Sequence, residues 1–497
     1  MKLGAIPTPM PRASTSFRIL VYWGLVVVGV ADGRSEGPAV APPNVLLVLV
    51  DDFAAEWTDL EPNSQALTPN LRRLAARSVR FRNAHCPAPA CAPSRTSMLT
   101  GIEPHRSGVY LNNQPYRRAG TWISRVTNLP QLYLGAGYLV AGYGKIFHHM
   151  FDMQEDDASS WSPGHFHPLS EDEDLALGRH VSPHTVVAGI PNVYSWGPLP
   201  DDWDRADPAR MQQDTRNANR AVALLGGTGI APFFCATGLY RPHVRWYVPQ
   251  RYFAAHPLAS IRPPRGYRWD DLDDIPAGGR RMRRPNIFEG IVGQGHWKEA
   301  IRAYLASIAY VDAQIGRILD ALESGPHADN TIVVLAGDNG WHNGEKNHFS
   351  KYTLWEAATK VPLMISVPGL RPGVCDAPVS LVDLYPTLLR LSGLPLPASH
   401  ALDGVDLAGL LAAPAGDRGR PVLITQGAGN HAVRSRDFRY IRYRDGTEEL
   451  YDHRVDPHEW RNLAADPAFA AVKEELAHHL PAECAEPTAT FGTAVGG

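Results

Sequence analysis

The sequence predicts an α/β protein built on a doubly wound, mostly parallel sheet and followed by a smaller C-terminal α+β domain. Continuous apolar runs, such as residues 45–50 and 331–336, are typical of strands buried on both faces of a parallel sheet. Helical patterns alternate with these runs, as they do in βαβ architectures. The chain has 497 residues, of which 44% are hydrophobic, so a large core and more than one domain are expected.

The predicted elements of the larger domain follow one another through residues 44–415. The run at 45–50 forms the first strand, and Thr68-Pro69 provides an N-cap with proline at the first position of a helix. Further strands are expected at 138–143, 233–237, 331–336 and 363–367, with a long helix at 301–322.

The C-terminal region, residues 416–497, has a different pattern. Short alternating segments between 420 and 452, with a turn at Asp445-Gly446, predict an antiparallel meander. Residues 469–480 have the spacing of a helix. We therefore expect a separate small domain of sheet and helix after about residue 415.

The first 31 residues have the pattern of a secretory signal peptide. Three basic residues precede an apolar run at 19–31, which ends in the small-x-small spacing of a cleavage site. An uncleaved membrane anchor is the alternative, although the run is short for a bilayer span. A Gly-, Pro- and Ala-rich linker at 32–43 follows. We expect an exported protein, periplasmic or secreted and not stably inserted in the membrane, and the lack of an N-x-S/T sequon favours a bacterial protein over a lysosomal one.

Charge and cysteine content narrow the function further. The net charge of −3 provides no electrostatic case for nucleic-acid binding. Export would make disulfides possible, but spacing alone does not reveal how the cysteines other than Cys91 would pair. These four are Cys86, Cys235, Cys375 and Cys484.

Two predicted strands end in pairs of polar residues. Asp51-Asp52 follows the strand at 45–50, and Asp338-Asn339 follows the strand at 331–336. Parallel strands deliver their carboxyl ends to one edge, so three carboxylates and an amide should meet there. A divalent cation with oxygen ligands, Ca²⁺ or Mg²⁺, would relieve the repulsion. The alternative is that each pair caps a helix or forms a turn.

Cys91 lies in the string C-A-P-S-R at residues 91–95, followed by L-T-G at 99–101. This string resembles the signature of the type I sulfatases. The resemblance implies an alkaline phosphatase-like fold and a Cys91 that a formylglycine-generating enzyme oxidises to formylglycine, whose hydrate is the nucleophile. Otherwise, a lone cysteine is a small buried hydrophobe or half of a disulfide. Pro93 favours a helix that starts near Cys91, and its free N–H groups would suit a sulfate.

Other motifs resemble the same family and occur in the same order along the chain. They are G-K-I-F-H at 144–148, Y-R-P-H at 240–243, Lys351, and the L-Y-D and N-L segments of the tail. They are most similar to the iduronate-2-sulfatase group and its bacterial relatives, although Asn339 departs from the histidine of that group. The resemblance implies that Ca²⁺, with Mg²⁺ possible, is bound by Asp51, Asp52, Asp338, Asn339 and the modified Cys91.

The resemblance also implies how a sulfate ester would be hydrolysed. Arg95 would orient the modified residue, and Asp338 would be the base for its attacking hydroxyl. Lys145 and Lys351 would offset charge on the sulfuryl oxygens. His243, with Lys351, would protonate the leaving alcohol. His148 would remove the second hydroxyl proton and release sulfate.

The expected substrate is a sulfated sugar. Residues 150–210 and 255–300 are predicted to be long inserted loops, where specificity usually resides. The second region contains arginines that either bind an anionic glycan or form a solvated charged loop: Arg262, Arg265, Arg268, Arg280, Arg281, Arg283 and Arg284. The alternative functions are a phosphoesterase or phosphonate hydrolase of the same superfamily, and a non-catalytic glycan-binding homologue with an unmodified Cys91.

Overall fold

The computed structural model describes residues 41–62, 64–148, 158–168, 177–206, 211–229 and 232–491. The predicted signal peptide and most of the predicted linker lie outside these residues. The described strands, β1 to β19, are Asn44–Val50, Val79–Phe81, Ala84–His85, Leu139–Gly144, Phe166–Pro168, Thr185–Val186, Ser195–Leu199, Phe233–Leu239, Trp246–Pro249, Thr331–Gly337, His342–Asn343, Phe349–Ser350, Leu363–Ser366, Gly373–Cys375, Val379–Ser380, Val422–Thr425, His431–Arg434, Phe438–Arg442 and Glu448–Asp452. The described α-helices, α1 to α14, are Pro69–Ala75, Cys91–Thr100, Pro104–Ser107, Leu129–Gly135, Trp203–Ala206, Gln213–Leu225, Gln250–Ala254, Ala277–Met282, Pro285–Gly293, Trp297–Ser324, Glu356–Thr359, Leu384–Leu391, Ala408–Ala412 and Ala470–Ala477.

An eight-stranded sheet forms the centre of the molecule, with the strand order β14-β2-β13-β10-β1-β8-β4-β5. The five strands from β10 to β5 are parallel neighbours, which confirms the predicted fold class. β13 is antiparallel to β10 and β2, a reversal that the sequence did not predict. The Gly337 N–H, at the end of β10, donates to the Pro362 carbonyl just before β13 (3.1 Å). After β10 ends, the chain turns back from the same edge of the sheet into β13, so β13 runs antiparallel to β10. A parallel β13 would need a crossover connection.

Both faces of β1 are buried, as its continuous apolar run predicted. Leu46 and Val48 pack into a core that includes apolar residues of α6 and α10. Leu47 and Leu49 pack into a second core, which includes residues of α2, α4 and α12. The result is a sheet covered by helices on each side, which holds the residues that follow β1 and β10 on a rigid base.

The start of α1 shows where the local prediction was incomplete. The helix begins at Pro69 as predicted, but the Thr68 hydroxyl does not cap it and donates to Asp59 Oδ1 instead (2.6 Å). The free N–H groups of Asn70 and Leu71 donate to the buried carboxylate of Asp312 in α10 (3.1 and 2.9 Å). A tertiary contact thus replaces the local cap.

The C-terminal region contains the predicted meander, an antiparallel sheet formed by β16 to β19, and the predicted helix, α14. One face of this sheet packs on Leu354 and Trp355 from the segment before α11. The other face contributes Leu450 to a core that contains Leu476 of α14. The sheet therefore joins the larger part of the chain through an apolar contact.

The described parts of 150–210 and 255–300 contain regular structure, so the prediction of long inserted loops was wrong there. Residues 150–157, 169–176 and 207–210 lie outside the described residues. β6 and β7 join β9 in a three-stranded sheet, and α8 and α9 lie within 255–300. Ile287 and Ile291 in α9 are buried at helical spacing. This short pattern lies beside the arginine-rich stretch that suggested a loop.

The described cysteines are all free, so no disulfide forms among them. Cys86, Cys235 and Cys375 are buried as small apolar side chains. Within the described part of the chain, no helix combines the length and the apolar character that a membrane crossing requires.

Candidate active site

Three carboxylates and one amide meet at the carboxyl edge of the sheet, as the strand ends predicted. Asp51 and Asp52 follow β1, and Asp338 and Asn339 follow β10, which pairs with β1 in parallel. Carboxylate oxygens of the three aspartates lie within 4.8 Å of one another. The Asp52 N–H donates to Asp338 Oδ1 (3.0 Å), and Asn339 Nδ2 donates to Asp52 Oδ1 (2.8 Å). These bonds join the two strand ends.

Cys91 is the first residue of α2, and its side chain faces the carboxylates. Ala90 before it is extended, and Pro93 stands in the first turn, where its missing N–H leaves no bond unmade. Cys91 Sγ lies 3.2 Å from Asp51 Oδ1 and 3.9 Å from Asp52 Oδ1. Burial, reinforced by the Asp51 charge, raises the pKa of Cys91 well above its ordinary value. The thiol is therefore protonated at neutral pH and is a poor nucleophile.

Two buried lysines from distant segments neutralise the cluster. Lys351 Nζ lies 2.5 Å from Asp52 Oδ1 and 2.7 Å from Cys91 Sγ. Lys145 Nζ lies 2.5 Å from Asp51 Oδ2 and 3.6 Å from Cys91 Sγ. Burial opposes their charge, but the adjacent aspartates outweigh it and raise the pKa of both lysines. An oxyanion bound beside Cys91 would therefore meet two ammonium groups.

Arg95 links the two strand ends from the side of α2. Its Nε donates to Asp338 Oδ2 (2.7 Å), and its Nη2 lies 3.4 Å from Asp51 Oδ1. Its Nη1 donates to the carbonyls of Lys145 and Ile146. The guanidinium fork therefore holds the carboxylates in place and fixes the segment that carries Lys145.

Ionisation of the aspartates reflects this balance of charges. Burial opposes the charge of Asp51, but Lys145, His243 and Arg95 outweigh it and hold the pKa of Asp51 well below its ordinary value. Burial raises the pKa of Asp338 to about 7 against the pull of Arg95, and the Asp51 charge adds to the rise. Asp338 can therefore take up a proton near neutral pH.

The two predicted histidines are buried near the cluster. His243 Nε2 lies 3.7 Å from Asp52 Oδ2, and its Nδ1 lies 2.5 Å from the Val244 carbonyl, which fixes the proton on Nδ1. Burial lowers the pKa of His243 to about 4. Burial, followed by the Lys145 charge, also lowers the pKa of His148, whose Nδ1 has no hydrogen-bond partner among the described residues.

Two buried oxygens of the cluster have no hydrogen-bond partner within the described residues. They are Asp52 Oδ2 and Asn339 Oδ1. An unmet buried acceptor costs roughly 1–3 kcal/mol, so their position beside the Asp51 and Asp338 carboxylates is the pattern expected for cation ligands. An all-oxygen donor set suits Ca²⁺ or Mg²⁺, and the side chains present fit such an ion.

Two supporting residues were missed from the sequence. The Tyr304 hydroxyl, from α10, donates to the Asp52 carbonyl (2.8 Å). Asp214, in α6, accepts the Tyr240 N–H (2.6 Å) and so anchors the turn that leads to His243. Each is a single polar residue in a buried part of a helix. The sequence does not indicate which distant residue such a side chain contacts.

Comparison with known proteins gives a consistent result. A family model described as Sulfatase matches residues 43–394, and one described as N-sulphoglucosamine sulphohydrolase, C-terminal, matches residues 344–486. A sulfatase of Formosa agariphila is 38% identical over 450 residues, which are 89% of this chain and 87% of that protein. Mouse iduronate 2-sulfatase is 29% identical over 444 residues, which cover 79% of this chain and 75% of the mouse protein.

Among solved structures, a phosphonate monoester hydrolase of Agrobacterium radiobacter has a similar fold. The TM-score is 0.67 at 21% identity, over 88% of this chain and 94% of that one. At this identity, the likeness concerns the fold alone.

Replacing Arg95 by methionine tests the charge balance of the cluster. Arg95→Met leaves Asp51 and Asp338 short of one cation, so the free energy of unfolding should fall by about 3–5 kcal/mol at alkaline pH. The deficit should shrink below pH 7, because the unpaired carboxylates then gain protons. Urea unfolding of the wild type and of the variant, at pH values above and below 7, measures this difference in the free energy of unfolding.

The matched control is Arg82→Met, since Arg82 pairs with Asp376 at the surface with about half of each side chain exposed. It should cost less than about 1 kcal/mol. A deficit for Arg95→Met that is equally small, or that does not change with pH, would contradict the charge balance.

Proposed function

Because this chain belongs to the sulfatase family and hydrolyses sulfate esters, we propose that Cys91, converted to formylglycine, supplies its nucleophile. The observation that carries the proposal is the convergence of Lys145, Lys351 and Asp51 on the Cys91 side chain. Sγ stands where an oxygen of the modified residue would stand. The raised pKa of the thiol argues against thiolate chemistry, and an oxygen nucleophile is better suited to this site.

A divalent cation would be held by Asp51, Asp52, Asp338 and Asn339, together with an oxygen of the modified residue 91. When bound, such an ion supplies Lewis-acid chemistry toward sulfate oxygens. The proposal is supported by the two unpartnered oxygens of Asp52 and Asn339 and by the all-oxygen donor set. We propose Ca²⁺ as the ion, with Mg²⁺ as the alternative.

The protein's own residues would then share the remaining work. Lys145 and Lys351 would bind the sulfate oxygens, and Arg95 would keep Asp338 in position. Asp338 would take the proton of the attacking hydroxyl, a role that suits a carboxylate oriented by the Arg95 guanidinium.

Two further proton transfers complete the proposed reaction. His243 would pass a proton to the leaving oxygen, since a bound anionic sulfate raises the pKa of a neighbouring histidine. His148 would accept the second hydroxyl proton as sulfate is released.

We propose a sulfated sugar, such as a glycosaminoglycan fragment, as the substrate. The similarity to mouse iduronate 2-sulfatase supports this class. The fold shared with a phosphonate monoester hydrolase makes hydrolysis of a phosphorus ester the second candidate. Parallel kcat/KM values on matched sulfate and phosphonate esters decide between them.

We also propose that the protein is exported and matures before it acts. Residues 1–31 have the pattern of a signal peptide. Conversion of Cys91 would require a formylglycine-generating enzyme as a transient partner during maturation.

The nucleophile is tested by Cys91→Ser. The variant should lose about 10⁴-fold or more in kcat on a sulfated monosaccharide, because a serine hydroxyl cannot form the hydrate. Mass spectrometry of the wild-type peptide that contains residue 91 should show an aldehyde in the active preparation. Cys484→Ser, which changes a partly exposed free cysteine, should keep full activity. An unmodified thiol at residue 91 in a fully active enzyme would refute the proposal.

The cation site is tested without measuring activity. Ca²⁺ should raise the thermal unfolding temperature of the wild type, because an ion that binds only the folded state stabilises it. Asp52→Asn should weaken that response by at least about tenfold in the Ca²⁺ concentration required. Asp329→Asn, an exposed change of the same kind, should respond as the wild type does. A wild type that shows no response to Ca²⁺ or Mg²⁺ would count against the site.

A further inference from the structure

A second cavity of about 430 Å³ lies outside the candidate active site. It is lined by the segment after β1, by residues 262–265, by α11 and by the C-terminal sheet region, and it is open to solvent. None of the ten proposed catalytic and metal-binding residues lines it. Its volume is within the range of sites that hold small organic ligands such as one or two sugar units.

The carboxylates of this cavity carry little free negative charge. Three of the four pair with an arginine: Asp376 with Arg82 (2.6 Å), Glu356 with Arg434 (3.1 Å) and Glu61 with Arg80 (2.5 Å). Burial raises the pKa of the fourth, Glu56, to about 7 against the pull of Lys360. Glu56 is therefore only about half ionised at pH 7.

The cations of the cavity are not balanced in the same way. Arg262, Arg265, Lys360 and Arg436 line it, and none of them pairs with a carboxylate in the described ranges. Arg265 donates to the Pro62 carbonyl (3.0 Å) and Arg436 to a carbonyl 3.4 Å away, both neutral acceptors. The cavity therefore presents four cationic groups that form no ion pair among these residues, and Lys360 and Arg265 act on Glu56 only at longer range.

The four cations without an ion pair favour a ligand rich in anionic oxygens. Trp57 adds an aromatic side chain to the cavity wall and is 3% exposed.

We propose that this cavity is a second, non-catalytic binding site for an acidic glycan, whose sugars carry sulfate or carboxylate groups. Guanidinium groups bind such oxyanions through paired hydrogen bonds. The choice of glycan rests on the proposed substrate class. The site also explains part of the arginine-rich stretch: Arg262 and Arg265 face the cavity, whereas Arg268 pairs with Asp270 at the surface.

The cavity is connected by the chain to the candidate active site. Its wall at Ala54–Trp57 continues directly from Asp51 and Asp52, and the Ala55 N–H donates to the Lys360 carbonyl (3.2 Å). A long acidic chain that reaches both the cavity and the sulfate-binding lysines would have a raised effective concentration at the active site. The site should therefore lower KM for long substrates and leave kcat for a monosaccharide unchanged.

Binding of a heparin-derived tetrasaccharide to the full chain tests the inference. Measured in the Cys91→Ser background, which prevents turnover, the double change Arg262→Ser/Lys360→Gln should raise Kd at least tenfold. The control Arg118→Ser/Arg371→Gln removes the same charge at two exposed positions and should change Kd less than twofold. With Cys91 intact, the cavity variant should retain kcat on a sulfated monosaccharide.

The other possible results of these binding measurements either overturn the second site or separate it from the proposed substrate. Equal Kd values for the cavity variant and its parent overturn the inference, as does an equal loss in the control, which would indicate general charge attraction. A cavity that binds inorganic sulfate but not the tetrasaccharide overturns it as well. If the wild type hydrolyses no sulfated sugar but the cavity variant still binds the tetrasaccharide more weakly than its parent, the proposed substrate is refuted and the second site is supported.

Discussion

The active region depends on the burial of three carboxylates at one edge of a sheet. Removing a charged group from water costs several kcal/mol, and like charges repel one another. The chain meets this constraint with three buried cations, Arg95, Lys145 and Lys351, which contact the aspartates directly. Each cation comes from a different segment, so the cluster forms only when the whole sheet and its covering helices are in place.

The sheet suits this task because its central strands are inaccessible on both faces. β1 and β10 are adjacent and parallel, so the residues after them reach the same edge with little freedom to move. α2 then places Cys91 and Arg95 one turn apart on a fully buried helix. The cluster is therefore assembled in advance, which is the arrangement that electrostatic stabilisation of an oxyanion requires.

Much of this arrangement could be predicted because its determinants are local. The apolar run of β1 and the aspartates after it predicted both a buried strand and a cluster at its end. Nothing local indicated that Asp312 would cap α1, or that Tyr304 and Asp214 would brace the site, because each acts on residues far away in sequence. The helices within 255–300 were missed because their apolar positions lie in a short segment beside many arginines.

The arginine-rich stretch shows the same limit in another way. Its composition allowed either glycan binding or a solvated surface, and the arginines differ in the partners that the structure gives them. Arg281 pairs with Asp445 at the surface, whereas Arg262 faces a cavity whose cations outnumber its free carboxylates. Composition could not make this distinction, since it depends on which acidic residues from distant segments lie beside each arginine.

The most direct test is a high-resolution crystal structure of active enzyme grown with Ca²⁺. We expect a cation about 2.3–2.6 Å from oxygens of Asp51, Asp52, Asp338 and Asn339, with an oxidised residue 91 next to it. Both lysines should then face the anion site and not the carboxylates. Active enzyme with no ion between these oxygens, and with an intact thiol at residue 91, would refute both the cation site and the proposed nucleophile.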